Sequence, residues 1–266
     1  MLSSIVYNRY SDNIAPSATI TVQTGTAATD YPVTWVADFD ASRPSKLNET
    51  TGAWLFNFGS AKTIKLAAIF HANFQAGLEI RIQANATNVW TAPSLNVAVA
   101  TPAWNAGRMP TQPWVDLRAV AGAGAYQYWR VAVLSANSVP LSVGDIWLGD
   151  AYRILNAQWG NSLATARPQI EHQTSYRKFR FSLGNSIRRW KGTFFLTDAE
   201  RDEVTSWITN ASGRPVLFIP QHTGEAWLAL HGEIFIEAIQ ALSDMNYISL
   251  TMEEDGRGLE PTPSPL

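Results

Sequence analysis

Few side chains in this sequence have the type and spacing to do chemistry. Asp38 and Asp40 are the obvious carboxylate pair. On a strand they would share a face, in a loop their oxygens could hold calcium, and glycoside hydrolysis needs two carboxylates. The plainer role is to solvate or cap a turn. His71, Asn73 and Phe74 set planar hydrogen-bonding groups beside an aromatic ring, the combination that a sugar ring needs. Trp104, Arg108 and Trp114 repeat that combination in a second loop-rich stretch. For both sets the plain alternative is a polar loop or a contact to a neighbouring subunit.

Other chemistries are excluded or unsupported. There is no cysteine among the 266 residues, which removes disulfides, thiolate zinc sites and cysteine nucleophiles. The four histidines, His71, His172, His222 and His231, show no metal-ligand spacing. Gly122-Ala123-Gly124 lacks the third glycine and the following helix of a dinucleotide loop, and no Gly-x-Ser-x-Gly elbow occurs. A net charge of -2 gives no general basis for phosphate neutralisation or for a basic membrane surface. No apolar run is long enough to span a bilayer. The N-terminus lacks the basic segment and apolar core of a signal peptide, so synthesis in the cytosol is expected. No catalytic residue is assigned.

The elements that must position these groups read as mainly β. Hydrophobic residues make up 46% and charged residues 16%, the balance of a folded chain. Trp54 to Gly59, Ile64 to Phe70 and Leu78 to Gln83 are short apolar runs parted by turn residues, as in a sandwich. Ala18 to Gln23, Tyr126 to Leu134 and Asp145 to Gly149 add strands. Asp38 to Pro44 is a polar loop, and residues 85 to 125 are loop-rich. Eleven tryptophans mostly fill a core in such a fold.

Trp54-Leu55-Phe56-Asn57-Phe58-Gly59, Leu78-Glu79-Ile80-Arg81-Ile82, Tyr128-Trp129-Arg130-Val131 and Ile146-Trp147-Leu148-Gly149 together resemble the discoidin (coagulation factor 5/8 type C) pattern. The resemblance covers roughly residues 30 to 150. Asn57 stands where the family usually has an acidic residue. The resemblance implies a galactose-binding-like jelly-roll sandwich that binds sugars, lipids or proteins through loops at one end. It also implies a structural calcium near Asp38 and Asp40.

Residues 151–173 read as a linker, and 174–254 as a second β unit. There, Tyr176 to Leu183 and Ile187 to Phe195 read as a hairpin closed by Gly184-Asn185, basic on its polar side. That basic face suits DNA passing along a lumen, and equally a solvated strand face or salt bridges to an acidic neighbour. Thr197-Asp198-Ala199-Glu200 is a capping box opening a helix over about 197–211, with Val204, Trp207, Ile208 and Ala211 as its apolar stripe. Strands follow at Val216 to Ile219, Ala226 to His231, Ile234 to Ile239 and Tyr247 to Glu253. Residues 255–266 form a proline-rich tail, expected to be flexible.

This order of elements resembles the tail-tube and distal-tail β-barrel or sandwich domains of long-tailed bacteriophages. Tyr7-Asn8-Arg9, Tyr31-Pro32-Val33, Arg43-Pro44-Ser45-Lys46 and Phe70-His71-Ala72-Asn73 look like discoidin-like proteins of phage tail modules. The resemblance implies a non-enzymatic virion protein of a tail tip or baseplate. Its C-terminal domain would form a homo-oligomeric ring with other tail proteins, with DNA only as passing cargo and no membrane insertion. Residues 1–150 would project as a saccharide-binding module facing the host surface. A stand-alone carbohydrate-binding protein and a glycan-cleaving enzyme using Asp38 and Asp40 are the competing expectations.

Overall fold

The computed structural model describes residues 8–11, 13–40, 43–75, 77–99, 114–118, 120–150, 152–154, 162–166, 169–173, 178–182, 187–210, 216–219, 230–242 and 245–254. In chain order the first half carries β1 (Asn8–Ser11), β2 (Thr19–Thr24), β3 (Ser45–Lys46), β4 (Gly52–Thr63), β5 (Leu66–Phe70), β6 (Ile80–Asn85), β7 (Leu95–Val99), β8 (Trp114–Asp116), β9 (Ala125–Val133), β10 (Ser142–Val143) and β11 (Asp145–Gly149). The second half carries β12 (Tyr152–Ile154), β13 (Ser162–Ala166), β14 (Gln169–Gln173), β15 (Lys178–Ser182), β16 (Ile187–Leu196), α1 (Asp198–Asn210), β17 (Val216–Ile219), β18 (Leu230–Leu242) and β19 (Met245–Glu254). The protein is mainly β with one α-helix among the described residues. Two compact units result: 9–152 with 221–229, and 1–8 with 153–220 and 230–266.

The unit spanning 9–152 is a β-sandwich. One sheet has the order β2-β4-β9-β6-β7 and the other β11-β5-β8, with β3 and β10 paired beside them. The named pairings are antiparallel. Alternation decides which side chains enter the core. Ile20, Trp54, Phe56, Trp129, Val131, Ile80, Ile82 and Leu95 from the large sheet meet Ala67, Ile69, Ile146 and Leu148 from the small one. The opposite parity forms the outer face, where Thr21, Leu55, Arg130, Gln83 and Asn96 stand in one cross-strand row.

Buried tryptophans must also satisfy their N–H groups. Trp54 donates to Ser45 Oγ at 3.0 Å, and Trp129 to the Tyr126 carbonyl at 3.0 Å. Residues 85–125, expected as loop-rich, contribute β7 and β8. Their short strands are fixed by pairing to β6 and β5, a long-range effect that local pattern does not report.

The second unit is built on a seven-stranded sheet, β12-β1-β17-β18-β19-β16-β13. Three expectations need correction here. First, residues 151–173 are not a plain linker: β12 and β13 belong to this sheet, and β14 pairs with β15. Second, β1 pairs into this sheet although the compact unit of the sandwich begins at residue 9, so residues 1–8 fall outside that unit. Third, Gly184-Asn185 does not close a hairpin between its flanking strands. β16 pairs back to β13 (Ala166 opposite Ile187) and β15 to β14 (Gln169 opposite Ser182), while Gly184-Asn185 itself lies outside the described residues. Cross-strand pairing, which local sequence does not report, selects the partners.

The helix follows its sequence signals closely. Thr197 N–H and Oγ1–H both donate to Glu200 Oε2 at 2.9 Å, the capping box expected from Thr197 and Glu200. Val204 and Trp207 are buried, and the helix packs over β16, β18 and β19. There Trp190, Phe194, Ile248, Leu250 and Met252 form the buried face, with Gly192 opposite Leu250. Buried Asn246 ties the helix start to the sheet, donating to Asp198 Oδ1 at 2.8 Å and accepting from Arg201 Nη1 at 3.0 Å. Ala211, at the end of the expected stripe, and the tail 255–266 lie outside the described residues.

Two glycines test the backbone argument. Gly122 and Gly77 both have φ of +81°, a conformation that L-residues avoid. A Cβ on Gly122 would meet the Ser94 carbonyl oxygen at 2.2 Å, whereas one on Gly77 meets nothing within 4 Å. Gly77→Ala is therefore expected to cost about 1–2 kcal/mol from backbone strain alone. Gly122→Ala is expected to cost clearly more in the same urea denaturation series.

Candidate functional site

The loops that follow β2, β5 and β9, and those that precede β4 and β11, lie at one end of the sandwich. Side-chain amides brace them. Asn137 is 4% exposed; its backbone N–H donates to the Thr50 carbonyl at 2.8 Å. Its Nδ2 donates to the carbonyls of Asn73 (3.2 Å) and Val139 (3.0 Å), and its Oδ1 accepts from Gln75 N–H at 3.2 Å. Asn73 completes the link, donating to the Pro140 carbonyl at 2.7 Å and accepting from Ser142 N–H at 2.9 Å. Glu49 holds the neighbouring loop through Thr26 N–H and Oγ1–H, bonds that keep its carboxyl below its ordinary value.

This geometry revises the first set of candidate ligand residues. Phe74 is 5% exposed and lies in the sandwich core, so its ring offers no platform. The Asn73 amide is engaged by the loop backbone on both sides. His71 sits at the exit of β5 with φ of +53° and is half-buried. Of the second set, Trp114 is half-buried on β8, while Trp104 and Arg108 lie outside the described residues.

A different cluster forms at the same end, between β2 and β4. Arg43 Nη2 stands 3.0 Å from Asp38 Oδ2, and its Nε donates to Asp40 Oδ2 at 3.0 Å. The same guanidinium lies 5.5 Å from the centroid of the Trp35 ring. Trp35 meets Tyr31 edge-on at 6.4 Å, and Lys46 Nζ sits 3.9 Å from the Tyr31 ring centroid. Tyr31, Trp35 and Lys46 are half-buried and Arg43 is exposed. The loop that holds them is locally bent: Phe39 has φ of +63°, and its ring meets Trp147 edge-on at 6.1 Å. Asp38 Oδ1 also accepts Asp40 N–H at 2.9 Å, the turn-capping role open to it from sequence.

These contacts bear on the calcium expectation. A guanidinium already bridges Asp38 and Asp40, which fits an ion pair and not a cage of oxygen ligands. Among the described residues, no group of three or more His, Asp or Glu is placed to hold a metal ion. Tyr31, Trp35, Arg43 and Lys46 escaped selection as candidates because their signal is spatial. Aromatic and cationic residues interleave from 31 to 46, but the short 3-10 helical turn Val33–Ala37 and the β3–β10 pairing bring them together.

No family model matches the chain. A search of curated proteins also returns no match. Solved structures do resemble it over about half its length. The lectin domain of lectinolysin, complexed with Lewis B antigen, is 14% identical, with a TM-score of 0.39 over 53% of this chain and 96% of that one. A Streptococcus pneumoniae fucose-binding module gives 13% and 0.41, covering 53% and 99%. The family 32 carbohydrate-binding module of Clostridium perfringens NanJ, in complex with galactose, gives 12% and 0.38, also over 53% and 99%.

Burial pushes the Asp38 carboxyl above its ordinary value, against the lowering effects of Asp40 N–H and Arg43. An acid raised in this way binds its proton more tightly when folded. Its contribution to stability is present below the unfolded value and is lost as pH rises through the folded one. Relative to Asp38→Asn, the wild-type chain is thus expected to gain stability as pH falls from 7 towards 4, read as a converging or crossing pair of melting-temperature curves.

Proposed function

We propose that this chain is a non-enzymatic structural protein of a long-tailed phage tail tip or baseplate, whose sandwich binds saccharide at its loop end. The single observation that carries the binding role is the cluster of Tyr31, Trp35, Arg43 and Lys46 with Asp38 and Asp40. A sugar presents C–H faces to aromatic rings and hydroxyls to planar hydrogen-bonding groups. This end of the sandwich supplies both within one loop.

The same geometry favours binding over cleavage. A glycosidase keeps one carboxyl as an acid and the other as a base or nucleophile. Here Asp38 and Asp40 are paired to one guanidinium. For the assembly role, support comes from the sequence resemblance to tail proteins and from the second unit's strands. The β14–β15 ribbon pairs with no further strand among the described residues, and such edges accept strands from another copy. On this reading the chain resides in the virion, assembled as a ring with other tail proteins, with the sandwich facing the host surface. Repeated copies would convert weak sugar contacts into firm attachment.

Two measurements test the two halves. On a glycan array, the wild-type chain is expected to retain a defined set of saccharides. Trp35→Ala and Arg43→Ala should lower that retention about five-fold or more, because loss of a stacking or charged group in such a site is worth about 1–2 kcal/mol. Unchanged retention in both folded variants would remove the loop end from consideration. Light scattering on the purified chain, alone and with tail partners, should give a closed multimer. A monomer under both conditions would leave a stand-alone carbohydrate-binding protein as the better account.

A further inference from the structure

A second cluster lies away from the loop end, on the outer face of the five-stranded sheet. Arg130, at the centre of the cross-strand row, lays its guanidinium over the Trp90 ring, with Cζ 4.3 Å from the centroid. Its Nε donates to Gln83 Oε1 at 2.6 Å and its Nη1 to Gln23 Oε1. Gln83 is 4% exposed and donates in turn to Asn96 Oδ1 at 3.0 Å. Trp90 is fixed by its own N–H, which donates to Asn88 Oδ1 at 2.6 Å.

Among the described residues the charge of Arg130 has no match. Both hydrogen-bond partners are neutral amides, and among the described residues no carboxylate stands within ion-pair distance of it. The contrast on the same face is Arg81, which pairs with Glu79 at 2.9 Å. Burial lowers the Arg130 guanidinium from its ordinary value, yet an arginine stays charged throughout the physiological range. A guanidinium has five N–H donors, and the two amides take two of them. A half-buried cation stacked on an indole, orientated by two glutamines and left without an anion, is a built receptor for a planar carboxylate.

The neighbours say which carboxylate. Buried Gln83 is spent on Arg130 and Asn96, but half-buried Gln23 and exposed Asn96 keep their amide N–H groups, which suit hydroxyls. Half-buried Trp90 adds an apolar surface beside them. A uronic acid also brings a ring with a C–H face for Trp90, which an acidic peptide of glutamates lacks. We propose that the outer face of the five-stranded sheet, centred on Arg130 and Trp90, binds the carboxylate of an acidic saccharide of the uronic-acid class.

Titration calorimetry on the full chain tests this, with tetragalacturonate, its methyl ester and a tetraglutamate peptide as probes. Tetragalacturonate is expected to bind with an affinity that falls as salt is raised. Arg130→Gln should weaken it at least ten-fold. Arg130→Lys, which keeps the charge but loses the fork, should weaken it by a smaller factor. The methyl ester should bind at least ten-fold more weakly than the acid, and tetraglutamate more weakly than tetragalacturonate. Melting curves of both variants check that they are folded, and the lysine variant keeps the test decisive if the glutamine variant is not. The proposal is overturned by absent binding of tetragalacturonate to the wild-type chain, by equal binding to folded Arg130 variants, by equal binding of the ester, or by tetraglutamate binding as tightly.

Discussion

Much of the sandwich depends on one hydrogen bond that a buried tryptophan cannot do without. Trp54 is fully enclosed between the sheets, and its indole N–H reaches Ser45 Oγ. An enclosed N–H without a partner costs about 1–3 kcal/mol. The bond therefore fixes β3 against the core while the indole fixes the two sheets against each other. With β3 held, the loop from 31 to 46 has one anchored end, and Lys46 is carried to the Tyr31 ring. Core packing and the surface cluster are joined through a single side chain.

What the sequence made legible follows from range. The helix could be placed because its signals are local: Thr197 and Glu200 are three residues apart, and Val204 and Trp207 repeat that interval. The strands Asp145–Gly149 and Val216–Ile219 stand where short apolar runs put them. Pairing partners were another matter. Nothing local in Gln169 or Ser182 says that they oppose one another, so the strands either side of Gly184-Asn185 were read as partners when each pairs elsewhere. β7 and β8 were lost for the same reason, since their strand character comes from β6 and β5.

The candidate sites show the same limit more sharply. Asn73 and Phe74 have the residue types of a sugar site, but burial and backbone bonding decide their roles, and neither can be read from a heptapeptide. Asp38 and Asp40 were recognisable as a pair. Their meaning changes once Arg43 is seen between them: two carboxylates on one guanidinium form an electrostatic clamp that orients the cation over Trp35. Likewise Arg130 and Trp90 are forty positions apart and meet only because β6 and β9 are neighbours.

The bracing of the loop end by Asn137 and Asn73 has a further consequence. Amides carry no charge, so neither acid nor added electrolyte loosens them, whereas the cation–aromatic stacks and the arginine clamp at the same end are screened. The scaffold and its fittings thus answer to different solution variables. In brine the frame of the loop end would persist while its grip relaxed, a form of reversible release that requires no moving part.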